Sequence, residues 1–288
     1  MTAQEFFQAI AALSGLLFIV TSMLAMGMGL TMTQILQPLK NVRLVILALL
    51  ANFVLVPLLA YAINRIIPLD QSLQIGLVVL STAAGAPFLP KLVQGAKGNL
   101  ALGVGLMVLL MVVTVVYMPL VLPLLLRGVT VNPWEIARTL ILLMFLPLTT
   151  GLLINTRYRE TAESLVPYLT KASNIALASL LVAGLIANLS AILEIIGTSG
   201  ILAALLFLFS CFVAGYLLGG RQDTIRPVVA LGTAQRNLAA ALAVATANFA
   251  QDPAVLVMIL VLGLVDLSVL LFTANLLGRR NYDPQLAG

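Results

Sequence analysis

The chain consists almost entirely of long apolar runs that are separated by short polar segments. An α-helix needs about 20 apolar residues to cross a bilayer. By this rule the pattern predicts nine spanning segments: 8–31, 42–66, 72–96, 99–126, 135–155, 167–189, 196–219, 224–249 and 253–277. The sequence therefore predicts an all-α polytopic membrane protein, with residues 1–288 forming a single transmembrane unit.

Composition strengthens this prediction and excludes several functions. Hydrophobic residues make up 61% of the chain and charged residues 9%, against about 25% charged residues in soluble domains. Histidine is absent and Cys211 is the only cysteine, so the sequence offers no histidine catalytic centre, no thiolate metal site and no intrachain disulfide. We expect neither an enzyme nor a cofactor nor a nucleic-acid partner.

The basic residues predict an orientation, because short cytoplasmic loops carry an excess of lysine and arginine. An external N-terminus leaves three basic loop residues outside, Arg65, Arg127 and Arg138. The same orientation places ten on the cytoplasmic side: Lys40, Arg43, Lys97, Arg157, Arg159, Lys171, Arg221, Arg226, Arg279 and Arg280. We therefore expect an external N-terminus and a cytoplasmic C-terminus in a bacterial inner (plasma) membrane.

Polar or helix-breaking residues interrupt two of the predicted spans. The eighth contains Gly232-Thr233-Ala234-Gln235-Arg236-Asn237, and an arginine at the centre of a span costs at least about 2.5–3.5 kcal/mol. The third contains Gly85-Ala86-Pro87-Phe88-Leu89-Pro90, where each proline removes a helical donor and clashes with an earlier carbonyl. Both spans are expected to break.

The two interrupted spans belong to an internal repeat. Leu80-Ser81-Thr82-Ala83 resembles Leu231-Gly232-Thr233-Ala234, and each stretch precedes an irregular segment, a polar turn and a long apolar span. The third span enters from outside and the eighth from inside, so the repeats are inverted. Interrupted helices at matching positions of inverted repeats indicate a transporter binding site, because a broken helix frees backbone groups that ions and substrates can satisfy.

The candidate site residues follow from these breaks. The substrate-binding candidates are Asn52, Thr82, Pro87, Lys91, Thr233, Gln235, Arg236 and Asn237. Asp266 is the only acidic residue deep in a span; it could pair with Arg236 or Lys91, and its protonation could couple transport to protons. Lys91 could instead extend its ammonium to the cytoplasmic surface. Other polar residues are expected to form packing hydrogen bonds: Asn174, Asn188, Ser190 and Ser210.

Four motifs, in order, resemble the bile acid:sodium symporter family over nearly the whole chain. They are Met26-Gly27-Met28-Gly29-Leu30-Thr31, Asn52-Phe53 with Pro57, Gly98-Asn99-Leu100-Ala101-Leu102, and Gln235-Arg236-Asn237 followed by Leu238-Ala239-Ala240-Ala241-Leu242. The resemblance implies that the first of ten family helices is missing here. It also implies a panel domain (8–31 and 135–189) beside a core domain (42–126 and 196–277) that holds two crossed broken helices.

The departures from the family pattern concern the ion site. Sodium-coupled members carry Glu-x-Gly-x-Gln-Asn in the second broken helix; with Asn237 as the final residue, Gly232 replaces the glutamate and Arg236 replaces the glutamine. Only Ala86-Pro87 or Leu89-Pro90 can stand for the Ser-Asn pair of the first broken helix. Other ligand positions also differ, namely Asn52, Gly103 and Met107. We therefore predict that sodium is absent and that Arg236, with Lys91 as a second candidate, acts as a fixed cation.

The resulting prediction is a secondary active or facilitative transporter of organic anions that works by alternating access. Its substrates would be small carboxylates such as keto acids or pantoate, or bile-acid-like amphipaths. Alternatives are a sodium-coupled symporter with a rearranged ion site and an arsenite- or auxin-type efflux carrier. An intramembrane aspartyl protease needs two facing carboxylates, whereas only Asp266 is available.

Overall fold

The computed structural model describes residues 3–36, 40–126, 128–129, 131–187, 189 and 199–280. All regular secondary structure within these ranges is helical: α1 Ala3–Gly29, α2 Met32–Leu36, α3 Val42–Ile66, α4 Gln71–Thr82, α5 Leu89–Gly95, α6 Leu100–Leu125, α7 Pro133–Arg157, α8 Arg159–Ala187, α9 Gly200–Leu218, α10 Arg226–Ala234, α11 Leu238–Asn248 and α12 Pro253–Arg280. The predicted roles of Arg127, Asn188, Ser190 and the Arg280 side chain lie outside the described residues.

The predicted all-α polytopic membrane fold is confirmed. Eight helical segments in the described part of the chain are long and apolar enough to cross a membrane, with α10 and α11 counted as one interrupted segment. The third predicted span is divided between α4 and α5, which are 12 and 7 residues long. Each half is shorter than a spanning helix, because residues 83–88 between them are not helical.

The helix that contains the sixth predicted span begins earlier than the apolar segment. The span was predicted to start at residue 167, but α8 begins at Arg159, so that Tyr158 alone separates α7 from α8. The charged first turns continue the helix outside the apolar segment, and Arg159 pairs with Glu163 one turn later at 2.8 Å. Apolar length detects only the part of a helix that hydrocarbon covers, so it misses such an extension.

Two spans contain a wider π-helical turn that ends two positions before a proline. In α3 this turn is Ala51–Leu55, and Pro57 follows it. Since proline has no N–H to donate, the carbonyl four residues earlier loses its helical partner. That carbonyl belongs to Phe53, and the Tyr117 hydroxyl donates to it at 2.5 Å. The distorted turn also carries Asn52, whose side chain is fully buried.

The most extensive contacts between helices involve α1, α9 and α4. Helix α1 packs most extensively on α8 and α7, while α9 packs on α10 and α4 packs on α12. Gly27 allows the close approach of α1 to α7, because a Cβ atom there would lie 2.2 Å from the Leu148 carbonyl oxygen. Helix α7 also packs on α6 and α11, so the division into panel and core stays a prediction.

Candidate functional site

The two broken spans meet at their breaks. The backbone N–H of Asn237 donates to the Ala83 carbonyl at 2.9 Å, and its side-chain amide donates to the Gly85 carbonyl at 2.9 Å. The Asn237 side-chain oxygen also accepts from the backbone N–H of Ala240, which caps α11. Helix α4 packs on α11 and α10 packs on α5, so the two broken spans run antiparallel through this contact.

Glycine and threonine hold the first break in shape. Gly85 has a φ of 78°, a left-handed conformation that glycine adopts without penalty. A Cβ at this position would lie 2.3 Å from the Met111 nitrogen. The Thr114 hydroxyl accepts from the Ala84 N–H at 3.0 Å and donates to the Ala84 carbonyl at 3.1 Å. Sequence reasoning missed Thr114, although a threonine deep in the apolar run of α6 was a usable signal.

The guanidinium of Arg236 is buried at this crossing and is 3% exposed. It donates to the Asn52 side-chain oxygen at 2.7 Å, the Ser81 carbonyl at 2.7 Å, the Thr233 carbonyl at 3.2 Å and the Leu80 carbonyl at 3.4 Å. Three of these acceptors lie in the last turns of α4 and α10, where helix carbonyls carry partial negative charge. One guanidinium therefore donates hydrogen bonds to backbone carbonyls at the C-terminal ends of both α4 and α10.

The Asp266 carboxylate contacts the backbone of Arg236 and not its guanidinium. Its Oδ2 atom accepts from the Arg236 backbone N–H at 3.2 Å. In the part of the chain that the structure describes, no ion pair joins the Asp266 carboxylate to the Arg236 guanidinium or to Lys91. The predicted Arg236–Asp266 contact therefore exists without a side-chain charge pair, because the carbonyls hold the guanidinium elsewhere. The Oδ1 atom of Asp266 is buried and has no hydrogen-bond partner.

A cavity of about 380 Å³ lies between the breaks and the α1–α8 wall. Five of the predicted residues line it: Pro87, Lys91, Gln235, Arg236 and Asp266. The other four predicted residues are buried and do not line it: Asn52, Thr82, Thr233 and Asn237. Their side chains are directed into the protein instead: Asn52 and Asn237 contact the crossing itself, and Thr82 donates to the Val79 carbonyl of its own helix.

Lys91 lies at the cavity in an exposed position. Its ammonium is 5.2 Å from the centre of the Phe88 ring, a distance at which a cation interacts favourably with an aromatic face. Lys91 is therefore neither buried at the crossing nor paired with Asp266.

The opposite wall contributes polar side chains that the sequence analysis did not assign to the site. Helix α8 provides Thr170, Ser173 and Asn174, and α1 provides Ser22. Asn174 was predicted to be a packing residue, and its place at the cavity corrects this interpretation. The α8 residues, together with Leu177, follow the i, i+3, i+4, i+7 spacing of one helix face. This spacing could have predicted from the sequence that they share a face.

Two antiparallel broken spans that meet beside a cavity define a class of protein, the secondary transporters with discontinuous helices. Residues 16–195 match the Sodium Bile acid symporter family. The chain belongs to this family, as its motifs predicted, and members of the family are transporters, not enzymes.

A curated relative agrees with this assignment. The chain is 27% identical over 198 residues to "Probable sodium/metabolite cotransporter BASS2, chloroplastic" of Oryza sativa subsp. japonica. The alignment covers 68% of this chain and 47% of the relative. The chain thus spans about half the length of the curated relative that it matches.

Proposed function

We propose that this protein transports small organic anions by alternating access without binding sodium, and that Arg236 acts as the fixed cation at the crossing. The observation that carries the proposal is the set of four oxygen atoms around the guanidinium, from Asn52, Leu80, Ser81 and Thr233.

The chemistry of these oxygens supports the proposal that sodium does not bind. In transporters with broken helices, unwound carbonyls and helix C-termini coordinate the coupling cation. Here the equivalent groups already accept hydrogen bonds from an arginine that cannot leave. The position aligned with the family's glutamate is also apolar, since a Cβ at Gly232 would meet side-chain carbons of Leu89 at 3.2 Å and Leu106 at 3.3 Å. A sodium ion would have to displace the guanidinium and would gain no carboxylate.

Arg236 is part of the chain and does not cross the membrane, so it cannot supply energy for transport as a sodium gradient does. The driving force for transport must therefore have another source. The substrate gradient, exchange of substrates, or protons could supply it. Asp266 is the candidate proton carrier, because it lines the cavity and its Oδ2 atom contacts the backbone of the break. Protonation there would change the charge of the cavity and the hydrogen bonding of the break together.

Cavity size and charge favour the small carboxylates among the predicted substrates. The volume of about 380 Å³ lies near the lower end of the roughly 300–1,000 Å³ typical of ligand sites, which disfavours steroid-sized amphipaths. Four of the five N–H groups of the Arg236 guanidinium donate to protein oxygens. Lys91 and the remaining Arg236 N–H are therefore the cationic donors available to a substrate carboxylate in this cavity. The cavity has α1 and α8 on one side and the breaks on the other, so movement of panel against core would open and close it.

Uptake into proteoliposomes tests the proposal. We expect equal uptake of a small carboxylate in sodium and in potassium buffers, and we expect Arg236→Gln to abolish uptake or to make it sodium-dependent. Arg65→Gln is the matched control, because Arg65 is exposed and its guanidinium interacts with the Tyr61 hydroxyl and ring at the surface, away from the cavity. If wild-type uptake requires sodium, the second candidate is correct: a sodium-coupled symporter with a rearranged ion site, which the names of the family and of the rice relative favour.

We also propose the orientation predicted from the basic loops, with the N-terminus outside and the C-terminus cytoplasmic in a bacterial inner membrane. A single cysteine introduced beside Arg157, in a Cys211→Ala background, should be labelled only after the membrane is made permeable. Labelling in intact cells would reverse the orientation.

A further inference from the structure

A second cavity, of about 550 Å³, lies where α5 and α12 end. Helix α12 packs on α5, and the approach is close because a Cβ atom at Gly278 would overlap the Gly95 carbonyl oxygen. The described residues that line the second cavity are Gly95, Lys97, Phe272, Asn275, Leu276, Gly278 and Arg279. None of them lines the cavity beside the breaks, so the second cavity is a separate site.

The polar part of the second cavity is positively charged. Lys97 and Arg279 are both exposed, and the described lining includes no acidic side chain. Asn275 adds an exposed amide, which can donate hydrogen bonds. Basic residues are common at the cytoplasmic ends of spans, but here two of them, from distant segments of the chain, share one cavity. The charge and the donors of this lining favour an anionic ligand.

Lys97 has an unusual backbone conformation. Its φ is 53°, a left-handed conformation that costs about 1–2 kcal/mol for residues other than glycine. The end of α5 is a Schellman motif, in which the Gly98 N–H donates to the Val93 carbonyl at 2.9 Å and the Lys97 N–H donates to the Gln94 carbonyl at 3.1 Å. Glycine is the usual residue at the position that Lys97 occupies in this motif. Strained residues of this kind cluster at functional sites, which supports a role for the lysine side chain.

The apolar part of the second cavity continues along the surface of α12. Phe272 is 66% exposed and Leu276 is 43% exposed, and both lie in a segment that is long and apolar enough to cross a membrane. With Arg279 they follow the i, i+4, i+7 spacing of one helix face. An apolar strip that ends in basic residues matches an amphiphile with an anionic head group, whereas a soluble phosphate would leave the strip without a partner.

We propose that the second cavity binds one anionic phospholipid, with its phosphate between Lys97 and Arg279 and an acyl chain along Phe272 and Leu276. Basic cavities between spanning helices on the cytoplasmic side bind the head groups of anionic lipids, and the basic loops predict that the ends of α5 and α12 lie on that side. The proposal does not depend on the transported substrate or on sodium, because the two cavities share no lining residue.

Lipid retention tests the proposal. The purified full chain in detergent is mixed with phosphatidylglycerol and phosphatidylcholine that have the same acyl chains, and native mass spectrometry counts the bound lipids. We expect one phosphatidylglycerol to bind in preference to phosphatidylcholine. Lys97→Gly, which keeps the left-handed turn, and Arg279→Gln should each raise the Kd for phosphatidylglycerol about fivefold, the effect of one basic residue on an anionic lipid. The Kd for phosphatidylcholine should not change.

Arg43→Gln is the matched control, because Arg43 is an exposed basic residue at the start of α3, on the same predicted side of the membrane, and does not line the second cavity. If Arg43→Gln weakens phosphatidylglycerol binding as much as the two cavity variants do, only the net charge of that side matters and the proposal fails. Equal binding of the two lipids, or unchanged binding in both cavity variants, would also overturn it. Displacement of the lipid by an equal concentration of glycerol 3-phosphate would show a site for soluble phosphates and would refute the lipid assignment.

Discussion

Replacement of Arg236 by methionine would remove the positive charge at the crossing while keeping most of the side-chain volume. The Leu80 carbonyl would keep a partner, because it also accepts from the Ala83 N–H at 3.1 Å. The Ser81 carbonyl, the Thr233 carbonyl and the Asn52 side-chain oxygen have no other donor in the described structure. The substitution would therefore leave three buried acceptors without partners.

The expected loss of stability follows from this count. Each orphaned acceptor costs about 1–3 kcal/mol, which gives about 3–9 kcal/mol in total. Removal of the buried guanidinium also ends its desolvation penalty, which offsets part of the loss. We therefore expect a net destabilisation of about 3 kcal/mol, near the lower end of the range.

Cys211 provides the assay. It is the only cysteine of the chain and is fully buried, so a thiol-reactive fluorescent dye in detergent reports unfolding through this residue. Arg236→Met should unfold at a clearly lower temperature than Arg65→Met, which removes an exposed arginine on α3.

Sodium should act on the variant and not on the wild-type protein. The vacated oxygens form a shell that a cation can enter, and a ligand at 100 times its Kd stabilises the folded state by about 2.7 kcal/mol. We expect sodium chloride, compared with choline chloride, to raise the unfolding temperature of Arg236→Met alone. Equal stabilisation of the wild-type protein by sodium, or identical unfolding of Arg236→Met and Arg65→Met, would refute the fixed-cation argument.

Two further substitutions test the geometry of the breaks with the same thermal assay. Gly85→Ala should destabilise the protein by about 3 kcal/mol or more, because it combines a left-handed backbone with a Cβ placed 2.3 Å from the Met111 nitrogen. Gly29→Ala is the control. It should have little effect, because no atom lies within 4 Å of the added Cβ. Asn237→Ala should lower the free energy of unfolding by about 2–4 kcal/mol, because it removes a helix cap and the buried hydrogen bond to the Gly85 carbonyl. Asn99→Ala removes only a cap and should lower it by about 1 kcal/mol. Equal losses of stability within either pair of variants would contradict the reasoning.

Much of the fold could be predicted because the signals are local. Apolar length alone identified the spans, since hydrocarbon admits only helices or closed barrels as spanning structures. The prolines near Gly85 and the polar stretch around Arg236 located the breaks for a similar reason, because each disturbs its own helix. The start of α8 at Arg159 escaped this reasoning, because its first turns lie outside the apolar segment.

The site was predicted less completely. Arg236 was identified as a buried cation, but its partners include the carbonyls of Leu80 and Ser81, and a backbone carbonyl has no signature in a sequence. Sequence spacing also could not separate the residues that brace the crossing, such as Asn52, from those that line the cavity, such as Gln235.

The sequence by itself determined an all-α membrane protein with two broken spans and a charged crossing, because hydrophobicity, proline and glycine act on their own segment of chain. Only the tertiary structure decided which groups meet. It brought the ends of α4 and α10 to one guanidinium, left Asp266 Oδ1 without a donor, and placed the polar face of α8 across the cavity. These contacts join residues that are far apart in the chain, and the packing of whole helices brings them together.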